Sequence, residues 1–315
     1  MNDKLISEDI GVLKFPKKVI VTQDFIGLSN TFLTLPFFVG SNYLLNDEEA
    51  ISVSYSSADF DFKFYDYENI SIKSRFLSLD FDFELVMFLV RKYVQSRSKT
   101  ITFTFEELFS AENIKIDRRN FAKYVLRAKK TVEKLKDFEF SFSRANYDTR
   151  GFLKWVTEVE LLDDDKGYTL HLGLGFIMFY ESDKEIITNL DMSKFRLIKT
   201  DYGRILYMLY IAKNANYCNV FSTEALHFRL HSLHANKAEI NRGIKKAHTE
   251  LLSLNLLLQA KEIKKGNKII QFNIVLNKNL TKKAKKVSEK ILAVEKPTEV
   301  VEPKRFSIFD KSKSI

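Results

Sequence analysis

At 315 residues and 36.8 kDa, with 45% hydrophobic residues, the chain is long enough for two cored domains plus extensions, and wholesale disorder is excluded. Its 50 Lys+Arg against 41 Asp+Glu give a formal charge of +9 and a pI near 9.2, a balance that attracts polyanions without choosing among them. The single cysteine, Cys218, excludes an intramolecular disulfide and a multi-cysteine metal site. No stretch approaches the roughly 18 apolar residues of a membrane span, and the start MNDKLISEDIGVLKF has no secretion pattern, so a cytoplasmic protein with no membrane partner is expected.

In chain order, residues 1–75 are expected to form an N-terminal extension with strands. Phe32, Leu33, Leu35, Phe37, Phe38 and Val39 make an apolar patch broken by Pro36, and ISVSYSSADFDFKFYDY from Ile51 alternates as one or two strands do. This segment needs a partner to bury its aromatic rings. From Leu79 the pattern turns helical through FDFELVMFLVRKYV, and a short β-prone run follows at residues 100–103. Thr104 and Glu107 then have capping-box spacing and open a second helix. A third, basic helix is expected over residues 117–136. Three β-like runs follow, FEFSFSRA, FLKWVTEVELL and YTLHLGLGF, divided at residues 146–151 and at the acidic turn 163–167.

Helix, strand, helix, basic helix and hairpin is the order of a winged helix, so residues 76–188 are assigned to a first winged-helix domain. Residues 189–278 repeat that order as a second. Helices are expected at 202–214, from Ser222 and at 237–254, then strands at 256–263 and 269–276 around the basic turn 264–268. Residues 279–315, with a run of lysines ahead of Pro297 and Pro303, read as a basic flexible tail with a short apolar tip. The expected fold class is therefore α+β: two tandem winged-helix domains, an N-terminal β-rich extension and a flexible C-terminal tail.

The two third helices share an apolar face. Phe121, Val125, Ala128, Val132 and Leu135 match Ile240, Ile244, Ala247, Leu251 and Leu254 at a constant offset of 119 (240 less 121). The same offset pairs Arg118 with Lys237, Lys123 with Arg242 and Arg127 with Lys246. Among the first helices, Leu85, Val86, Phe88 and Leu89 face Ile205, Leu206, Met208 and Leu209 at an offset of 120 (205 less 85), one loop residue accounting for the difference. One unit used twice is implied.

Counting about 100° per residue places Arg119, Lys123, Arg127, Lys130 and Lys134 in one stripe opposite the first apolar face. Only Glu133 lies among them as a local neutraliser, so an anionic partner is expected and the helix reads as a grip on a nucleic-acid backbone. The second helix exposes Asn241, Arg242, Lys245, Lys246 and Thr249, which mixes side chains able to hydrogen-bond base edges with pure phosphate anchors. It is expected to read sequence, since an Arg can present two donors to guanine and an Asn can pair donor and acceptor with adenine, with Lys264, Lys265 and Lys268 of its hairpin on the flanking phosphates.

His227, His231 and His234 share helical spacing, but no cysteine or carboxylate joins them, so packing or polar contacts are expected and no metal or other cofactor. The acidic turn at Asp163, Asp164 and Asp165 reads as a solvated hairpin. No G-x-x-x-x-G-K-[ST] motif occurs, none of the histidines forms a His-hydrophobic-His pair, and no tyrosine is marked as a strand-cleaving nucleophile, so a non-enzymatic protein is expected.

This order of elements resembles the plasmid replication initiators of the Rep superfamily, with tandem winged helices over residues 76–276. The local echoes are Asp201-Tyr202-Gly203-Arg204 with Tyr207 and Tyr210, and the helix from Ala238 to Leu254 with its hairpin. The resemblance implies double-stranded origin repeats as the partner, a homodimer in equilibrium with monomer, contacts to host replication proteins, and opening of DNA without ATP hydrolysis. By position Asn241, Arg242, Lys245, Lys246 and Thr249 are the readers. The tail's Arg305-Phe306-Ser307-Ile308-Phe309 is similar to peptides that dock on the bacterial sliding clamp, without their leading glutamine. The rival expectation is a tandem winged-helix transcription repressor.

Overall fold

The computed structural model describes residues 22, 24–40, 51–56, 67–75, 77–112, 114, 116–144, 147–148, 152–181, 187–214, 219–230 and 236–277. The expectations for the tail and its clamp-like peptide, for Cys218 and for His231 and His234 fall outside them. The elements before the first helical unit are β1 (Phe25–Ser29), α1 (Asn30–Thr34), β2 (Phe38–Val39), β3 (Ile51–Ser56), β4 (Tyr67–Ser74) and β5 (Leu77–Ser78). The first unit holds α2 (Phe81–Ser96), β6 (Thr100–Thr104), α3 (Phe105–Ala111), α4 (Phe121–Lys136), β7 (Glu139–Arg144), β8 (Tyr147–Asp148), β9 (Leu153–Lys154), β10 (Val156–Leu161) and β11 (Gly167–Leu172). Next come α5 (Leu174–Glu181), β12 (Ile187–Asp191) and α6 (Met192–Phe195). The second unit is α7 (Asp201–Asn214), β13 (Val220–Ser222), α8 (Thr223–Arg229), α9 (Lys237–Ser253), β14 (Leu257–Lys265) and β15 (Lys268–Leu276).

The architecture is a mixture of helices and small antiparallel sheets, and the two units have the same topology. In the first, the sheet order is β10-β11-β6, and in the second β14-β15-β13, so in each the short strand before the second helix pairs with the last hairpin strand. The helix starts are fixed alike. Thr104 Oγ1 accepts from the Glu107 amide at 3.1 Å, and Ser222 Oγ accepts from the Ala225 amide at 3.1 Å. The expected reciprocal arm of the capping box is absent, because the Glu107 carboxylate reaches Lys92 of α2 instead.

Two expectations change. FEFSFSRA, read as part of the material after the basic helix, does not join the sheet β10-β11-β6: β7 pairs with β4 in a sheet ordered β3-β4-β7-β8, with β9 also on β7. The end of YTLHLGLGF turns helical as α5, packing Phe176 and Ile177 inward. The N-terminal segment finds the partners its aromatic rings need. β1 pairs with β12, β2 pairs in parallel with β5, α1 packs on α5 and α7, and Phe32, Leu33, Leu35, Phe37 and Phe38 are all buried. Phe37, Phe138 and Trp155 form an aromatic nucleus, with Phe138 and Trp155 ring centroids 4.0 Å apart. One continuous apolar core therefore runs through both units and the N-terminal segment. Among the described residues no helix is long and apolar enough to cross a membrane.

A partly buried strap joins the units. Arg196, which follows α6, gives Nε and Nη2 to the two Glu84 oxygens of α2 at 3.1 and 2.8 Å, and Nη2 also reaches Glu112 at 3.0 Å. Glu112 is buried, takes a second guanidinium from Arg91, and is lifted to about 7 by burial, which outweighs the pull of Arg91 and is helped by nearby Glu84. Farther along, Glu250 of α9 accepts from the Lys199 and Thr200 amides at 2.6 and 3.3 Å and from the Thr200 hydroxyl, while Arg204 reaches Asp80 at 3.2 Å.

Candidate nucleic-acid interface

The sequence of α9 divides it into two faces. Asn236 caps it, its Oδ1 accepting from the Ala238 amide at 3.0 Å, and Ile240, Ile244, Ala247 and Leu251 are buried as periodicity requires. Gly243 admits the Tyr202 ring of α7: a Cβ there would stand 2.6 Å from it. Beneath, the buried Tyr210 hydroxyl and His248 Nε2 share a hydrogen bond of 2.7 Å.

On the outer face Lys237, Arg242 and Lys246 are exposed and have no acidic partner among the described residues. The hairpin β14–β15 turns at Gly266, whose φ of 61° suits a residue without Cβ, and presents exposed Lys265 and Lys268. Other expected readers are partly committed. Lys245 and Lys264 share one carboxylate, Glu262, at 2.8 and 3.4 Å, and the Lys245 ammonium holds that carboxyl below its ordinary range. The Thr249 hydroxyl donates to the Lys245 carbonyl of its own helix at 3.0 Å. Asn241 is half-buried, and its Oδ1 accepts from His227 Nε2 of α8 at 2.8 Å. The donor-and-acceptor pairing with adenine that an Asn can make would draw on that same oxygen, which His227 already engages from α8.

Arg119 in the turn before α4, and Lys123, Arg127 and Lys130 on α4, are exposed and unpaired by acids among the described residues, and the Arg127 guanidinium lies 6.0 Å from the Tyr124 ring centroid. Arg118 lies in the turn that leads into α4, and its side chain is outside the described set. Lys134 leaves the stripe. It is buried and its ammonium sits 3.2 Å from Asp82 of α2, beside a Thr131 hydroxyl that donates to the same carboxylate. The helical wheel puts Lys134 outside, but α2 covers that last turn and brings the acid.

The hairpins differ in sign. Around β10–β11 the exposed residues include Glu158, Glu160, Asp163, Asp164 and Asp165, and Asp165 reaches back to Lys129 of α4 at 2.8 Å. Beside that contact lies an apolar groove of about 660 Å³ lined by Phe105, Phe121, Val125 and Leu126, with Leu126 57% exposed. The apolar face expected at Phe121 and Val125 is thus only partly covered, unlike its counterpart on α9.

Sequence reasoning missed Glu262, Asp165 and Asp82 as partners of the cations. Glu262 alone leaves a signal, an acid two residues before Lys264 and so on the same face of one strand.

No family model matches the sequence, and no curated protein matches it. Solved structures do. The chain is similar to domains 2 and 3 of RctB. One crystal structure of these domains has 11% sequence identity and a TM-score of 0.48, over 79% of this chain and 98% of that one. A second has 10% identity and the same TM-score of 0.48, over 81% and 99%.

Proposed function

We propose that the chain is a non-enzymatic, DNA-binding replication initiator built from two tandem winged-helix units, in which α9 reads the major groove and β14–β15 is a basic wing on the flanking phosphates. The observation that carries the DNA reading is the outer face of α9, where unpaired Lys237, Arg242 and Lys246 stand beside the exposed Lys265 and Lys268 of the hairpin. An unneutralised cationic surface of this shape releases counterions from a duplex, and a helix with Arg and Asn at its N-terminal half carries base-edge donors. Arg119 ahead of α4 and Lys123, Arg127 and Lys130 of α4 add a backbone grip, without Lys134. The initiator role, with repeated origin sites, monomer–dimer exchange and strand opening driven by DNA deformation in place of ATP, rests on the resemblance of the tandem order to the Rep superfamily.

Footprinting on the DNA that flanks the gene tests the reading. The Arg242→Ala/Lys246→Ala variant should lose site-specific protection. Lys123→Ala/Arg127→Ala should weaken binding to all duplexes alike and lower the salt slope by about 0.9 for each phosphate contact removed. Unchanged footprints in the first variant would remove α9 from the reading role. A plasmid carrying the gene and its flanks should replicate in a permissive host, and failure there with bound repeats intact would favour the repressor.

A further inference from the structure

We infer that His227 sets Asn241 to select a keto base, guanine or thymine, over an amino base, adenine or cytosine. This deepens the proposed reading of DNA by α9 and rests on it. His227 is buried, and with Nε2 2.8 Å from Asn241 Oδ1 the imidazole donates and the amide oxygen accepts. That oxygen is the only acceptor on the Asn241 side chain able to meet an amino group. Among the described residues Asn241 Nδ2 has no partner, and it stands on the face that carries Arg242 and Lys245. What Asn241 offers outward is a donor. In the major groove guanine O6 and thymine O4 are acceptors at the place where adenine N6 and cytosine N4 are donors, so a donor fixed there meets a partner on the first pair and a repelling hydrogen on the second.

The first unit shows that the fold does not require this pair. The fifth residue of α3 is Phe109, in the place His227 has in α8, and it meets Phe121 edge-on with centroids 5.7 Å apart. A polar pair at the same junction of the second unit is therefore particular to α9.

Selection from a pool of randomised duplexes with the full chain tests the assignment. The unaltered protein should enrich keto over amino bases about tenfold at one position, equivalent to roughly 1.4 kcal/mol. Asn241→Ala should erase the preference there and leave the other positions unchanged. His227→Ala frees Oδ1 and should raise adenine or cytosine at that position to parity. His227→Gln, whose amide can still donate, should restore the keto preference, an outcome that a merely structural role for His227 does not produce. An amino base enriched at the Asn241-dependent position, or His227→Ala and His227→Gln behaving alike, would overturn the assignment with the DNA reading intact. A pool with no enriched sequence at all would overturn the DNA reading and this assignment together.

Discussion

His248 spends its hydrogen-bonding capacity inward. Burial among Tyr210, Phe272 and the apolar face of α9 lowers it to about 4, against a smaller opposing pull from Glu262. The unfolded chain takes up its proton near 6.5, whereas the folded one resists until about 4, so stability rises with pH across that window and is lost as pH falls through it. Urea titrations at pH 4.5 and 7 should show a smaller pH dependence in His248→Gln, which keeps an acceptor for Tyr210 without titrating; equal pH dependence in the two proteins would count against a neutral buried imidazole. Lys134 carries the opposite lesson about legibility. Its neighbours in sequence are those of an exposed cation, and its partner Asp82 lies 52 residues earlier, so no local pattern could place it. Asn241 was legible as a polar residue on the outer face, but its donor-only character depends on His227 across a loop.

At the scale of elements, strand order explains a glycine. Gly167 opens β11 where that strand crosses closest to β6, and a Cβ there would lie 2.0 Å from the Phe103 carbonyl oxygen and 2.7 Å from Thr104 Cα. Gly167→Ala should cost about 3 kcal/mol in equilibrium unfolding, because backbone and not a flexible side chain would have to move. A loss under about 0.5 kcal/mol would mean that β6 and β11 do not meet so closely. The duplicated helices, the helix starts at Thr104 and Ser222 and the second hairpin were legible because each is set by local spacing: α4 was expected at 117–136 and occupies Phe121–Lys136 after a short turn, and α9 was expected at 237–254 and ends at Ser253. The destination of β7 was not legible. Alternation marks a strand without naming its neighbour, and β7 finds its own in β4, far back in the sequence.

For the whole molecule the strap at Arg196 is the test of coupling. Arg196→Met removes the bidentate partner of Glu84 and one of the two guanidiniums on Glu112, and about 3–5 kcal/mol should be lost. The loss should be larger at pH 8 than at pH 6. Glu112, raised by burial to about 7, is charged at the higher pH and sheds that charge at the lower; in the intact protein the same shift makes its contribution to stability fall as pH rises from 4.5 through 7. A penalty independent of pH would show that Glu112 ionises freely.

The strap has a consequence for any duplex that touches both units. Glu250 ties the middle of the chain to α9, Arg196 ties it to α2, and the core is continuous between them, so α4 and α9 keep one relative rotation and one separation. Two readers on a slack tether would follow their half-sites as these are moved apart along the helix. On the proposed DNA reading the protein would act as a gauge: half a turn of inserted DNA would put the second contact on the wrong side of the double helix, and a full turn would restore the side but not the reach.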